Sequence, residues 1–183
     1  MSDIIHWFGW FVVSFSTVFT TVIMLSILLK FGGILPNSNM LCVILWLSSF
    51  GVSSICVSFL ISAVFSKANL AAACGSIIYF MMHTPYGILE NWDTYLGPFG
   101  KRAWSLISSV AFGYGCTAVG ELELHGDGLQ WHTMGYVTTP TRLSFGETIV
   151  FLWIDSLLYR WFCKNFRKMA ENGEKRRKMA KKG

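Results

Sequence analysis

Two long stretches without a formal charge constrain this chain more than any other feature. Ile4 to Leu29 and Met40 to Phe65 are each about 26 residues long and contain no Asp, Glu, Lys or Arg. A helix of that length crosses a hydrocarbon layer of about 30 Å with some tilt. A water-soluble domain has little use for two such runs in 183 residues, and the composition agrees: 53% of the residues are hydrophobic and only 14% charged, with a mean hydropathy of +0.48. Charged residues usually make up about a quarter of a soluble domain. Aromatic residues reach 16%, including eight Trp, which suits a chain that meets both lipid tails and headgroups. His6, Trp7 and Trp10 stand at the first edge of the first run, as an interfacial belt would.

The net charge of +5 is informative only once it is located. Ten of the fifteen basic residues lie at or after Arg160, so that end carries +8 and the remainder −3. A nucleic-acid-binding domain would spread its positive charge over a folded face, so nucleic acid is not an expected partner. A basic end following an apolar segment predicts a cytoplasmic C-terminus. Cys42, Cys56, Cys74, Cys116 and Cys163 are scattered through apolar runs with no C-x-x-C pair, which predicts ordinary apolar packing rather than zinc or a disulfide framework. No Lys or Arg precedes the first run, which is too long for a signal-peptide core and reads as a retained span.

The order of apolar and polar segments predicts an all-α, polytopic membrane protein. Residues 1–163 form the membrane part, with helices at 4–30, 40–65, 70–92, 103–119 and 145–163, and 164–183 form a basic, helix-permissive tail. The first two are joined by a turn rich in Gly, Pro and Asn (Phe31 to Asn39). Pro85 is expected to kink the third near its middle. The fourth lies at the lower length limit of a span, so the residues alone leave two topologies open. Five crossings put Lys101 and Arg102 on the cytoplasmic side, whereas four crossings and a re-entrant fourth segment put Lys67 there. Glu121 to Ser144, with three acids against Arg142, is assigned outside the cytoplasm.

Candidate chemistry is sparse. No G-x-x-x-x-G-K-[ST] phosphate loop occurs, and Gly113 to Gly120 has its third glycine in the wrong place for a dinucleotide fingerprint. The chain by itself is therefore expected to be no enzyme and to bind no cofactor or metal; His125 and His132 near Glu121, Glu123 and Asp127 match no ligand spacing. Asp155, near the middle of the last apolar segment, is the most informative single residue. An intramembrane carboxylate costs roughly 3 kcal/mol to insert unless it is paired, protonated or facing a polar interior. It is expected to find a partner such as Ser48 or Ser53, in a role that is structural before it is functional. Lys175, Arg176, Arg177, Lys178, Lys181 and Lys182 form a cluster suited to anionic lipid headgroups.

Five short motifs then stand in a familiar order: His6-Trp7-Phe8-Gly9-Trp10-Phe11, Phe65-Ser66-Lys67-Ala68-Asn69-Leu70-Ala71-Ala72-Ala73, Ser109-Val110-Ala111-Phe112-Gly113-Tyr114-Gly115, Gly128-Leu129-Gln130-Trp131 and Asp155-Ser156-Leu157-Leu158-Tyr159. Together they resemble the membrane domain of subfamily A ATP-binding cassette transporters of the ABC-2 type, over about Ile4 to Tyr159. The resemblance implies about four transmembrane helices plus a re-entrant helical hairpin at 103–119, a type II exporter-like half domain equivalent to spans three to six. It also implies a coupling loop of Ser66, Lys67, Ala68 and Asn69 that touches a nucleotide-binding domain on the cytoplasmic side. By the same resemblance the activity is ATP-driven lipid export, with ATP bound by a partner domain and with membrane lipids, further transmembrane helices and that ATPase domain as partners. The location implied is the plasma membrane or an endomembrane. The basic run after Tyr159 departs from the family's linker toward an ATPase, and the start is abrupt, as in a piece of a longer protein. Two other readings remain: a stand-alone, non-catalytic regulator of a full-length transporter, or a small channel or carrier using Asp155.

Overall fold

The computed structural model describes residues 2–65, 67–92, 97–136 and 143–180. Among them every regular element is a helix: α1 (Ser2–Phe31), α2 (Met40–Val64), α3 (Ala68–Asn91), α4 (Pro98–Trp104), α5 (Ser108–Leu124) and α6 (Phe145–Ala180).

The first long run forms α1, which stops where Gly32 and Gly33 allow the chain to turn. Gly33 adopts φ +73°, and the amides of Ile34 and Leu35 return to the Leu29 carbonyl. The Lys30 ammonium, one residue short of the end, donates to the carbonyls of Pro36 (2.6 Å) and Ser38 (2.8 Å). The Asn39 side chain then caps α2 by accepting from the Leu41 amide. Loop polarity thus serves helix ends on both sides of one turn.

α3 continues through Pro85 for a further turn and a half and ends at Asn91, whose side-chain amide donates to the Gly87 carbonyl. The segment expected at 103–119 divides. Ser105 closes α4 by bonding the Lys101 carbonyl through both its amide and its hydroxyl, and α5 restarts at Ser108 after an extended Ile107. α5 runs on to Leu124, so Glu121 and Glu123 are helical rather than part of the polar loop. α6 is a single helix of 36 residues, about 54 Å long, in which the apolar segment and the basic stretch share one axis.

α2 is the central helix. It packs along α6 and α1 and touches α3 and α5, while α5 lies between α3 and α6. Trp46 on α2 stacks on Phe112 of α5 (4.8 Å) and meets Phe145 of α6 edge-on (5.7 Å), and Phe50 stacks on Phe112 (4.1 Å). Such ring pairs contribute about 0.5–1.5 kcal/mol each beyond their buried area. Small residues permit the approach: the Trp46 indole occupies the space a side chain at Gly115 would fill, the Tyr86 ring does the same at Gly113, and Val18 at Gly51.

Outward faces are apolar. Phe8, Val13, Met24 and Leu28 on α1, Ile77, Phe80 and Met81 on α3, and Trp153 and Leu157 on α6 are all exposed. Exposed apolar faces of this kind mark surfaces that meet lipid or another protein. Among the described residues two segments are, by length and composition, long and apolar enough to cross a bilayer, Phe8–Phe31 and Met40–Val64. α3 and α6 fall short of that measure for a visible reason: His83, Thr84 and Pro85 dilute α3, while Glu147, Asp155 and the basic residues dilute α6.

Candidate functional site

Asp155 belongs to the inward stripe of α6, Phe145, Thr148, Leu152, Asp155 and Ser156, all buried at the spacing of one helix face. The carboxylate is wholly inaccessible. Neither of its oxygens has a hydrogen-bond partner among the described residues, and the same holds for the hydroxyls of Ser48 and Ser53 and for the Trp46 indole nitrogen. The sequence led us to expect Asp155 to bond a serine such as Ser48 or Ser53, and no such bond is present among the described residues. Other serine hydroxyls of the same helices bond their own backbone, as Ser49 does to Leu45 and Ser156 to Leu152. One turn beyond Asp155, Tyr159 lies against Ser108 at the start of α5.

At the end of the bundle where α1 turns into α2, three elements are tied by polar contacts. Glu123, near the end of α5, accepts from the Asn37 amide and the Ser38 hydroxyl, both at 2.6 Å. The Ser38 hydroxyl in turn accepts from the Leu129 amide (2.9 Å), and the Asn39 amide donates to the Leu129 carbonyl (2.7 Å). Gly128, at φ +64°, lets the loop after α5 lie directly on Asn37. The Gly146 amide of α6 donates to Met134 in the same loop.

The start of α6 is fixed by a reciprocal cap. The Ser144 amide donates to Glu147 Oε2 (3.0 Å) and the Glu147 amide to Ser144 Oγ (3.2 Å). The other Glu147 oxygen pairs with Arg102 of α4 at 2.9 Å. Both ends of the α4–α5 unit therefore stand at the same end of the bundle, while Ser108, at its inner bend, stands beside Tyr159 about 18 Å further along α6 than Glu147.

The opposite end carries the turn between α2 and α3. Lys67, Asn69 and Leu70 lie there and, with Ala73, line an open depression. Ala68 begins α3, and Ser66 lies outside the described residues. Lys175, Arg176, Arg177 and Lys178 fall on the last turns of α6, whereas Lys181 and Lys182 lie outside the described residues. The structure thus brings Asp155 into the helix seam and keeps the Lys67–Asn69 turn and the basic end of α6 apart from it.

Sequence reasoning gave no structural role to Glu123, Ser38, Lys30 or Arg102, nor to the pairing of Ser144 with Glu147. Only the last left a recognisable signal, the S-x-x-E spacing at 144–147 immediately before an apolar run.

No protein-family profile matches the chain. It is 40% identical to rat ATP-binding cassette sub-family A member 7 over 159 residues, covering 87% of this chain and 7% of the rat protein. The same extent is 40% identical to the human phospholipid-transporting ATPase ABCA7, and 87% of the chain is 35% identical to the human glucosylceramide transporter ABCA12. The chain spans only 6% to 7% of the length of these relatives. Identity at this level over nearly the whole of an apolar helical chain makes it a member of the subfamily A ATP-binding cassette transporters, matching a short segment of those proteins.

Proposed function

We propose that this chain forms part of the membrane-crossing portion of an ATP-driven lipid exporter, lining part of the lipid path and taking its energy from an ATPase domain outside these 183 residues. The observation that carries the reading is the 40% identity over 87% of the chain to a human phospholipid-transporting ATPase.

In this reading α1, α2, α3 and α6 cross the bilayer, and α4–α5 is a re-entrant hairpin that enters and leaves from the non-cytoplasmic side. Several contacts support that arrangement. Arg102 meets the first turn of α6, Glu123 meets the α1–α2 turn, and α5 at 17 residues is too short to reach the far end of α2. Four crossings put the Ser66–Asn69 turn and the end of α6 on the cytoplasmic side. That choice also puts Lys67 on the same side as the +8 end, where basic residues accumulate.

Lys67, Ala68 and Asn69 then form the contact through which an ATPase domain would move the helices, since they stand at the rigid start of α3. The basic end of α6 would meet anionic headgroups and acidic surface near the membrane. The test is cross-linking in cells that co-express an ATPase-bearing subfamily A transporter. Asn69→Cys is expected to cross-link to the ATPase domain while Phe99→Cys, on α4, does not. Equal capture at both positions, or lipid movement by this chain alone without nucleotide, contradicts the proposal.

A further inference from the structure

One face of α6 turns from apolar to cationic before its neighbour α2 has ended. Trp153, Leu157, Arg160, Trp161, Lys164 and Lys168 recur at the three- and four-residue spacing of a single helix face, and all are exposed. The chemistry along this stripe changes in one direction, from indole and leucine through Arg160 and Trp161 to the two lysines. The Trp161 ring is seated edge-on against Phe162 (5.1 Å).

Contacts with α2 set the depth of the change. Trp46 meets Phe145 near the start of both helices, and the Cys163 thiol reaches the Phe59 carbonyl further on (3.9 Å), so α2 and α6 run the same way. Phe59 stands five residues before Val64, the last of α2, and Arg160 stands one turn before Cys163. The Arg160 backbone is therefore about 10 Å short of the level at which α2 ends, and Lys164 is about 6 Å nearer to it. Arg160 also lies close enough to α2 for its charge to act on Cys56.

A cation on the lipid-facing side of a helix is costly at that depth unless it finds a counter-charge or reaches the headgroups. The helix supplies no counter-charge nearby: Asp155 is buried in the seam, and the next acid, Glu171, comes eleven residues after Arg160. Among the described residues the ion pair is that of Arg102 with Glu147, and neither Arg160 nor Lys164 forms one. An acidic protein surface does not reach below the end of α2. The phosphate of a lipid does, and a guanidinium fork matches its oxygens, with an ammonium one turn on as a second point of charge. An indole beside them suits the glycerol level of the interface.

We propose that Arg160 and Lys164, with Trp161 beside them, hold the phosphate of one glycerophospholipid from the cytoplasmic leaflet against the outer face of α6, its acyl chain lying along Leu157 and Trp153. This rests on the membrane reading above and adds to it a defined lipid site. The charged end of α6 attracts negative surface of any kind, whereas this site reads a phosphodiester, so a zwitterionic phospholipid fills it.

The test is native mass spectrometry of the full chain released from nanodiscs that contain equal amounts of phosphatidylcholine and a galactosyl diacylglycerol with the same acyl chains. The wild-type chain should retain one phosphatidylcholine in preference to the galactolipid. Arg160→Gln with Lys164→Gln should lower that retention about tenfold or more, as expected for loss of charge-assisted hydrogen bonds. Its helix content should stay that of wild type, because both positions are exposed. Arg102→Gln, which removes a positive charge at the other end of the bundle, should leave retention unchanged. Equal retention by the wild-type and doubly substituted chains, including none by either, overturns the site, as does equal retention of the two lipids by wild type. Displacement of the lipid by inorganic phosphate, but not by chloride at the same ionic strength, assigns the cations to free phosphate and overturns the lipid site. Extraction of the wild-type chain from membranes by alkaline carbonate overturns the membrane reading and the site with it.

Discussion

Replacing Glu123 with Ala tests the polar tie between α5 and the α1–α2 turn. The substitution removes the acceptor for two donors, the Asn37 amide and the Ser38 hydroxyl, each at 2.6 Å. Asn37 is exposed, so water replaces the carboxylate there and little is lost. Ser38 is only 1% exposed and also accepts from Leu129, so its hydroxyl proton is left without a comparable acceptor. Hydrogen bonds to a charged group are worth about 1.5–3 kcal/mol, and an orphaned buried donor costs about 1–3 kcal/mol. We therefore expect a local loss of about 2–4 kcal/mol, and roughly half of that for Glu123→Gln, which retains one accepting oxygen. Hydrogen–deuterium exchange in bicelles reads it directly. The Leu129 and Asn39 amides should exchange about 30- to 1,000-fold faster in Glu123→Ala, because each 1.4 kcal/mol of opening free energy is a factor of about ten. Asp127→Ala, at an exposed position in the same loop, serves as control and should leave them unchanged. Equal exchange in both variants would refute the claim that Glu123 holds the turn.

Gly115→Leu should force the Trp46 indole away from α5 and destabilise the helical bundle by about 1–3 kcal/mol, seen as a lower denaturant midpoint in detergent. Arg102→Ala removes a half-exposed ion pair and should cost under about 1 kcal/mol, whereas Glu147→Ala also removes the reciprocal cap of α6 and should cost about 1 kcal/mol more. Comparison of the two midpoints separates the cap from the pair. Neutralising Lys175, Arg176, Arg177 and Lys178 should weaken association of the basic helix with anionic vesicles by about 1 kcal/mol per residue, measured by co-sedimentation at low and high salt.

The two longest apolar helices are legible in the sequence because a charge-free run of that length has few other uses, and the glycines and asparagine between them announce a turn. The family is legible because five short motifs keep their order, although each is weak alone. The division of residues 103–119 is not legible. Nothing in Ser105-Leu106-Ile107 is a strong helix breaker, yet the amides of Leu106 and Ile107 bond carbonyls three residues back and Ile107 then turns extended before α5. α3 passes through Pro85. The burial of Asp155 can be anticipated from its spacing after Phe145, Thr148 and Leu152. Its lack of a bonded serine cannot. Glu123 looks like one more loop acid until α5 carries it to within reach of Ser38, 85 residues away in sequence.

The central claim is that α4–α5 dips into the bilayer and returns while the other four long helices cross it. Single cysteines at Phe99, Leu124 and Lys67, all exposed, in a chain cleared of its five native cysteines, test it with a membrane-impermeant maleimide applied to sealed vesicles. Phe99→Cys and Leu124→Cys should react from one side of the membrane and Lys67→Cys from the other. Labelling of Phe99→Cys and Leu124→Cys from opposite sides would mean that α5 crosses, and the re-entrant hairpin would be contradicted.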